Sequence, residues 1–143
     1  MENNTYLPSI IKGVQSCLIR AKVLRHDQDI ELSDVFACYE NYKVTWWKGQ
    51  TARNIGDILL HIDDDHLADA DLWFRKAIEE DTKNAMRWQV AQDHAMYADW
   101  FKKKGDMRGA KEQLTKAIDI FRECGADGWV TRTEKDLAAF ARV

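Results

Sequence analysis

Residues 105–121 read GDMRGAKEQLTKAIDIF, and the spacing of apolar positions in this stretch decides the fold class. The apolar positions follow at intervals of four, three and four residues: Ala110, Leu114, Ala117 and Phe121. These intervals match one face of an α-helix, because a helical turn takes 3.6 residues. Gly105 and Asp106 precede them and are typical of a turn that leads into a helix. The stretch therefore predicts an amphipathic helix with small residues on its buried face.

The same pattern occurs earlier in the chain, at an interval of about 40 residues. Lys116-Ala117-Ile118 is preceded by Lys76-Ala77-Ile78, and Ala110 is preceded by Ala70. Ala37 lies a further interval before Ala77. Such a period in a helical chain is typical of stacked helix pairs, in which each unit buries its apolar face against its neighbours. We therefore expect these alanines to lie where antiparallel helices approach closely.

The composition favours one all-α domain. The 143 residues are 45% hydrophobic and include one proline, which predicts an ordered core. No linker rich in proline, glycine or serine interrupts the sequence, so residues 1–143 are interpreted as a single domain. We predict a solenoid of three helix pairs and a capping helix. The predicted units cover residues 8–48, 50–82 and 84–124, and the cap covers 127–142.

Seven helices are predicted. Pro8 suits the first turn of the first helix, because its missing N–H would have no partner there. The apolar positions of this helix are Ile10, Ile11, Val14, Cys17, Leu18, Ala21 and Leu24. Ser33 is expected to cap the second helix, which continues through Trp46 and Trp47 and ends at Gly49. The other helices are predicted at about 51–62, 66–81, 84–104, 107–124 and 127–141.

The stretch from Gly105 to Phe121 resembles a tetratricopeptide repeat (TPR), a helical hairpin with small residues between its two helices. Before the turn, the matching positions are Tyr97, Ala98 and Phe101. The preceding unit matches at Ala70, Phe74 and Ala77, while Asp65 replaces the motif's glycine and Asp57, Ile58 and His61 take the earlier positions. The interval of about 40 residues exceeds the usual TPR period of about 34. The resemblance implies a TPR-like solenoid that acts as a scaffold for protein binding.

A finer resemblance connects the end of the chain with the carboxy-terminal tails of large bacterial ATPase regulators. In those proteins a TPR array follows an NTPase module and, in some, a cyclase domain. The positions that carry this resemblance are Gly105, Glu112, Leu114, Ala117, Ile118, Phe121, Arg122, Trp129, Glu134 and Leu137. It implies a regulatory or sensory docking array in signalling. The chain contains no P-loop sequence for binding phosphate, so it is not expected to be the ATPase part of such a protein. Because helical-repeat folds generally present surfaces to partners, we expect a binding module and not an enzyme.

In TPR arrays the first helix of each pair lines the inner surface, where partners bind. The matching positions here are Ile55 and Leu59 in the third helix, and Ala95, Asp99 and Lys102 in the fifth. Some TPR proteins use lysines and asparagines at such places to hold the terminal carboxylate of a peptide. Aliphatic residues and an acid oppose that mode, so we expect an apolar or basic peptide or helix of a partner protein.

Trp46 and Trp47 are candidate interface aromatics. Adjacent helical residues point about 100° apart, so both side chains cannot lie at the centre of one core. One of them is expected to fill a pocket or to contact a partner, because exposed aromatic residues often anchor interfaces.

Two other functions are compatible with the sequence. The residues Asp57, His61, Asp63, Asp64, Asp65 and His66 would suit a metal-dependent hydrolase. The alternative interpretation of the same residues is an ordinary turn between helices, and we assign no metal ligand, although cation binding by the acidic turn stays open. Residues 51–100 carry five basic and eleven acidic residues, whereas residues 101–143 carry ten basic and seven acidic ones. Head-to-tail contact between these regions would produce a self-associating structural module, a homo-oligomer.

The remaining composition limits compartment and partners. Cys17, Cys38 and Cys124 have no disulfide or zinc-site spacing, so each is expected to be a small buried residue in a reducing, cytoplasmic setting. The polar start Met1-Glu2-Asn3-Asn4 predicts no secretory signal. A net charge of -3 argues against nucleic-acid and membrane partners. We expect no cofactor, and a protein or peptide as the partner.

Overall fold

A computed structural model describes residues 6–27, 29–40 and 44–142. Over these ranges the chain forms seven α-helices, two short 3-10 helices and no strand, so the predicted all-α class is confirmed. The α-helices are α1 (Tyr6–Leu24), α2 (Leu32–Ala37), α3 (Lys48–Ile62), α4 (Leu67–Lys83), α5 (Arg87–Lys103), α6 (Met107–Glu123) and α7 (Asp127–Ala139). The 3-10 helices cover Thr45–Trp47 and Phe140–Arg142. None of the helices in these ranges combines the length and the apolar character that crossing a bilayer requires.

Helix α3 lies at the centre of the molecule. Every residue from Thr51 to Leu60 is buried, because α1, α4 and α5 all pack against this helix. The core around it contains the side chains Val23, Val35, Ile55, Ile58, Leu59, Leu60, Ala70, Phe74 and Tyr97. A helix that is covered on all sides also buries its polar residues, and these must find hydrogen-bonding partners inside the protein.

Small residues lie at the helix contacts, as the repeat predicts. Ala70, Ala77, Ala110 and Ala117 have no exposed surface. Helix α3 packs against α4, α5 packs against α6, and α7 packs against α6. An alanine side chain allows two helix backbones to approach closely, which a larger side chain would prevent. The recurring alanines are therefore confirmed as contact positions in these helices, whereas Ala37 is exposed.

Helix α6 begins and ends where the sequence predicts. The backbone N–H of Gly109 donates to the Asp106 carboxylate at 2.8 Å, which caps the amino terminus. Gly105 and Gly125 have φ angles of +78° and +66°, the left-handed conformation that closes the preceding helices. These local signals work because each depends on residues that are close together in the sequence.

The predicted second helix is wrong in its cap and in its length. Helix α2 has six residues, begins after Glu31 rather than after Ser33, and ends at Ala37. Gly49 does not end this helix, since it lies buried within the first turn of α3. Residues 41–43, which the predicted helix includes, fall outside the described residues. The first predicted unit therefore contains α1 and a short α2, without a long partner helix for α1.

Aromatic packing explains why α2 stays short. The Trp73 ring of α4 stacks on Phe36 with ring centroids 6.0 Å apart. The same ring meets the Tyr39 ring edge-on at 4.9 Å, and Lys76 Nζ lies 4.3 Å from the centroid of Tyr39. These contacts fix the chain just after α2 against the surface of α4.

Candidate interaction surface

Helix α1 packs against α3 through small and polar residues. Its buried positions recur every seven residues: Ser9, Ser16 and Val23. The side-chain amide of Asn54 donates to the Ser16 hydroxyl at 3.0 Å. Arg20 Nε donates to the Asp57 carboxylate at 2.5 Å. Seven residues make about two helical turns, so these positions form one line along α1 that holds it on α3.

Arg20 and His61 stabilise the charged form of Asp57. Burial opposes the charged form of Asp57, but the hydrogen bond from His61 and the charge of Arg20 outweigh it and hold the pKa of Asp57 below its ordinary value. The hydrogen bond with Asp57 also raises the pKa of His61. The His61 ring nitrogen Nδ1 lies 2.8 Å from the Asp57 carbonyl oxygen. Arg20, Asp57 and His61 therefore form a charged link between α1 and α3.

The opposite side of α1 is apolar and exposed to solvent. Leu7, Ile11, Val14 and Leu18 are 52%, 47%, 50% and 59% exposed, and we call this set the α1 stripe. On a helical wheel they lie opposite the line through Ser16, so they point away from α3. Ordinary surface helices have the reverse arrangement, with the apolar side towards the core. This helix therefore presents to solvent the side that a protein normally buries.

Exposed apolar side chains concentrate on this part of the surface. Among the described residues, ten large hydrophobic side chains are exposed, and six of them lie on α1. These six are Leu7, Ile10, Ile11, Val14, Leu18 and Leu24. Isolated exposed hydrophobic residues are normal, but a contiguous patch typically marks a binding surface.

A groove runs beside the stripe, between α1 and the start of α3. It has a volume of about 190 Å³ and is lined by Gly13, Val14, Cys17, Leu18, Trp47, Gln50 and Thr51. We call it the Trp47 groove. Trp46 is 49% exposed and its ring lies 5.5 Å from that of Trp47. The two candidate aromatics thus divide: Trp47 is half-buried in the groove wall, and Trp46 stands at the edge of the same surface.

The predicted partner groove needs a correction in its first half. Ile55 and Leu59 have no exposed surface, because they lie in the core beneath the neighbouring helices, and a partner cannot reach them. Ala95 is half-buried, and Asp99 is exposed. The Asp99 carboxylate accepts a hydrogen bond from Lys102 Nζ at 2.7 Å. The matched positions therefore do not form one open groove. The motif alignment could not show this, because it contains no information on which helices pack against α3.

The acidic segment between α3 and α4 falls into separate contacts. Asp57 and His61 belong to the link with α1, whereas Asp63 lies 2.7 Å from the His66 ring nitrogen Nδ1. Asp64 pairs with Lys103 at 2.9 Å. In the described parts of the chain, no group of three or more histidine, cysteine, aspartate or glutamate side chains is arranged to hold a metal ion. The structure therefore does not bring the suspected hydrolase residues together.

A buried cluster of acids is the main feature of the interior that the sequence analysis did not predict. Asp81 in α4 and Asp93 in α5 have no exposed surface, and Arg53 in α3 pairs with Asp93 at 2.8 Å. Within the described residues, both Asp81 carboxylate oxygens and Asp93 Oδ2 have no hydrogen-bond donor. A proton shared between the two carboxyl groups would supply one. Asp81 lies at helical spacing from Phe74, so the periodicity of α4 was the signal that could have found it.

Burial is the main cause of the raised pKa of both acids. It raises the pKa of Asp93 well above its ordinary value, and the neighbouring Asp81 raises it further, although the charge of Arg53 opposes both effects. Burial also raises the pKa of Asp81. The cluster joins three helices in the interior. Because folding raises the pKa of both acids, the cluster should make the stability of the protein depend on pH.

The cysteines differ from the expectation that all three are buried. Cys38 is buried, whereas Cys17 and Cys124 are exposed, and all three are free thiols. Cys17 lies in the wall of the Trp47 groove, where the Asn54 side-chain amide donates to its sulfur at 3.4 Å, and it stays exposed to solvent. Taken together, the described surface offers one concentrated apolar face on α1 with a groove beside it. Comparison of the chain with protein-family models, curated proteins and solved structures finds no match.

Proposed function

We propose that this protein is a protein-interaction module that binds a helix or peptide of a partner through the α1 stripe. The observation that carries this proposal is the reversed orientation of α1, with Ser16 towards α3 and Leu18 towards solvent. Burying each exposed Leu or Ile would contribute about 1.5–3 kcal/mol if it were fully exposed beforehand, and about half of that here. A partner that covers the stripe would gain this free energy.

The TPR-like scaffold is part of the same proposal. Helices α3 and α4 would form one hairpin, α5 and α6 a second, and α7 a terminal cap. Three observations support it: from α3 to α7 each helix packs against the next, α3 also contacts α5, and four recurring alanines, Ala70, Ala77, Ala110 and Ala117, are buried. In this arrangement α1 occupies the side of α3 where a preceding hairpin would pack, and its outer face takes the role of the binding surface.

A regulatory setting follows from the resemblance of residues 105–137 to the tails of bacterial ATPase regulators. In such a protein this module would recognise a partner and the catalytic modules would lie elsewhere. The proposal is therefore a docking role in signalling and not a catalytic one. The surface near Ala95, Asp99 and Lys102 is a second candidate contact area, and it carries the Asp99–Lys102 ion pair.

Site-specific photocross-linking tests the proposed function. Leu18 is replaced by benzoylphenylalanine, and the protein is irradiated in cells of the source organism. The matched control carries the same replacement at Leu72, which is 62% exposed on α4, away from the stripe. We expect cross-linked protein products from the Leu18 position and none from Leu72. Equal products from both positions, or none from Leu18, would contradict the assignment of this surface.

A further inference from the structure

We propose that the partner of the α1 stripe is the α1 stripe of a second copy of this chain, with the two helices antiparallel. This inference rests on the proposed function, because it names the partner of the same surface. Three features of α1 carry it: the symmetry of the stripe, the position of the Trp47 groove, and the distribution of charge along the helix.

The stripe is symmetric along its own length. Its side chains follow at intervals of four, three and four residues, so reversing the direction of the helix leaves the pattern unchanged. In an antiparallel pair centred between Ile11 and Val14, Leu18 of one copy lies opposite Leu7 of the other, and Ile11 lies opposite Val14. A two-fold contact requires this self-complementarity, because both copies use the same surface. Intervals of three and four residues are also those of helices that pack along their length.

The Trp47 groove lies on the side of α1 that such a pair would bring together. Ile10 and Cys17 project from this side, and Ile10 is 36% exposed. A two-fold axis that relates antiparallel helices places this side of one copy next to the same side of the other. Ile10 of the second copy then lies beside Val14, Cys17 and Leu18. The groove volume of about 190 Å³ is sufficient for an aliphatic side chain, because a cavity of about 150 Å³ accommodates benzene.

Charge decides the direction of the pair. Helix α1 contains Lys12, Arg20 and Lys22 and no acidic residue, and Arg25 follows it directly. In a parallel pair, Lys22 and Arg25 of the two copies would lie side by side and repel. In the antiparallel register the two Lys22 residues are about 28 Å apart along the helices, at about 1.5 Å per residue. That separation exceeds the Debye length of about 8 Å at physiological salt, so the repulsion is screened.

The exposed apolar area is sufficient for a weak dimer. Ile10 and the four stripe residues are between 36% and 59% exposed, and Trp46 is 49% exposed. Together they offer roughly 500 Å² on each copy. Two copies would bury roughly 1,000 Å², the lower end of specific protein interfaces. We therefore expect a dissociation constant in the micromolar range.

Sedimentation equilibrium of the purified chain from about 1 to about 200 μM tests the proposal. The expected result is a monomer–dimer equilibrium that Leu18→Glu weakens at least about tenfold. Val14→Glu is a second variant at the centre of the stripe, and circular dichroism confirms that each variant is folded. Leu72→Glu is the matched control and should dimerise like the wild type. A monomeric wild type over this range, or equal weakening by Leu72→Glu, would overturn the proposal.

Disulfide trapping tests the orientation. In a background with Cys17→Ser and Cys124→Ser, L7C and L18C chains are oxidised separately and as a mixture. The antiparallel pair predicts a disulfide in the mixture, because the two positions are opposite each other. It predicts none with L18C by itself, because those two positions would be about 16 Å apart, beyond the roughly 4.4–6.8 Å that a disulfide spans between Cα atoms. A disulfide in the L18C sample would overturn the antiparallel arrangement.

Failure of the dimer and failure of the proposed function give different results. If the purified wild type is monomeric but Leu18 cross-links to a different protein, the stripe binds a partner and the second copy is rejected. If the chain is monomeric and Leu18 yields no protein product, both proposals fail. A dimer that Leu18→Glu disrupts, with Leu18 cross-linking to another copy of the chain, supports both.

Discussion

Asp81 and Asp93 place two carboxyl groups side by side in the interior, next to the guanidinium of Arg53. Each acid comes from a different helix, so their proximity depends on how α4 and α5 pack. A buried carboxylate without a donor is costly, whereas a protonated carboxyl group can donate to its neighbour. The folded protein therefore favours a proton at this cluster that the unfolded chain releases.

Asp81→Asn should make stability less dependent on pH. The pKa of Asp81 is raised in the folded protein from an ordinary value of 3.8, so its favourable contribution is present below about pH 4 and is lost as pH rises through the folded pKa. The amide of the variant replaces the shared proton as a donor to Asp93. We expect the free energy of unfolding to fall by about 1 kcal/mol less between about pH 4 and pH 8 than in the wild type, measured by urea denaturation.

The matched control for this prediction is Asp119→Asn. Asp119 lies on the exposed side of α6, and its side chain is 62% exposed. This variant should have the same pH dependence as the wild type, because surface ion pairs contribute little. If Asp81→Asn and Asp119→Asn have equal slopes, the shared proton at the buried cluster is rejected.

At the scale of elements, two close approaches shape the molecule. Helix α3 begins against the end of α4, where Gly49 lies directly beside the Asp81 carboxylate. Helix α1 lies on the other side of α3, held by Ser16 and Arg20 through Asn54 and Asp57. Both contacts depend on small or polar side chains, which is why neither follows from hydrophobic periodicity.

Gly49→Ala tests the first of these approaches. A Cβ atom at this position would overlap the Asp81 carboxylate, so α3 or α4 must shift. We expect a loss of about 1–3 kcal/mol in the free energy of unfolding, as for other overpacked interiors, measured by thermal or urea denaturation. Gly128→Ala in α7 is the control, because a Cβ there has no atom within 4 Å. It should be neutral or stabilise by up to about 1 kcal/mol, and equal losses in the two variants would refute the steric explanation.

At the scale of the whole molecule, stability is distributed unevenly. Helix α3 is buried from Thr51 to Leu60, whereas α1 buries one narrow line through Ser9, Ser16 and Val23. Regions with few buried apolar contacts open with a lower free energy than the centre of the core. Helix α1 carries the proposed binding surface, and we therefore expect it to open locally at a lower free energy than α3.

Native-state hydrogen exchange should show this order. Amides in the middle of α3 are expected to exchange near the rate of global unfolding, and amides of α1 should exchange faster by about tenfold or more. Protection of α1 should increase with protein concentration in the wild type but not in Leu18→Glu, because pairing would cover the stripe. Uniform protection of α1 and α3 at low concentration would contradict the uneven distribution.

The sequence by itself determined the helices whose signals are local. The ends of helix α6 were predictable because Asp106 caps its start, and Gly105 and Gly125 form the turns on either side of it. The interval between Ala70 and Ala110 identified buried contact positions. The helical spacing of Asp81 from Phe74 could also have indicated that Asp81 is buried, but this was not predicted. These features depend on a few successive residues, so no knowledge of distant segments was needed.

The tertiary structure decided which side of each helix faces the core. Periodicity identifies an apolar side of α1, but it cannot say whether that side contacts α3 or solvent. The contacts of Ser16 with Asn54 and of Arg20 with Asp57 join residues 38 and 37 positions apart, and they turn Val14 and Leu18 outward. The same long-range packing buried Ile55 and Leu59 and ended α2 at Ala37. Such choices depend on the relative free energies of competing contacts between distant segments. Those contacts form only when the helices assemble, so the local sequence pattern does not reveal them.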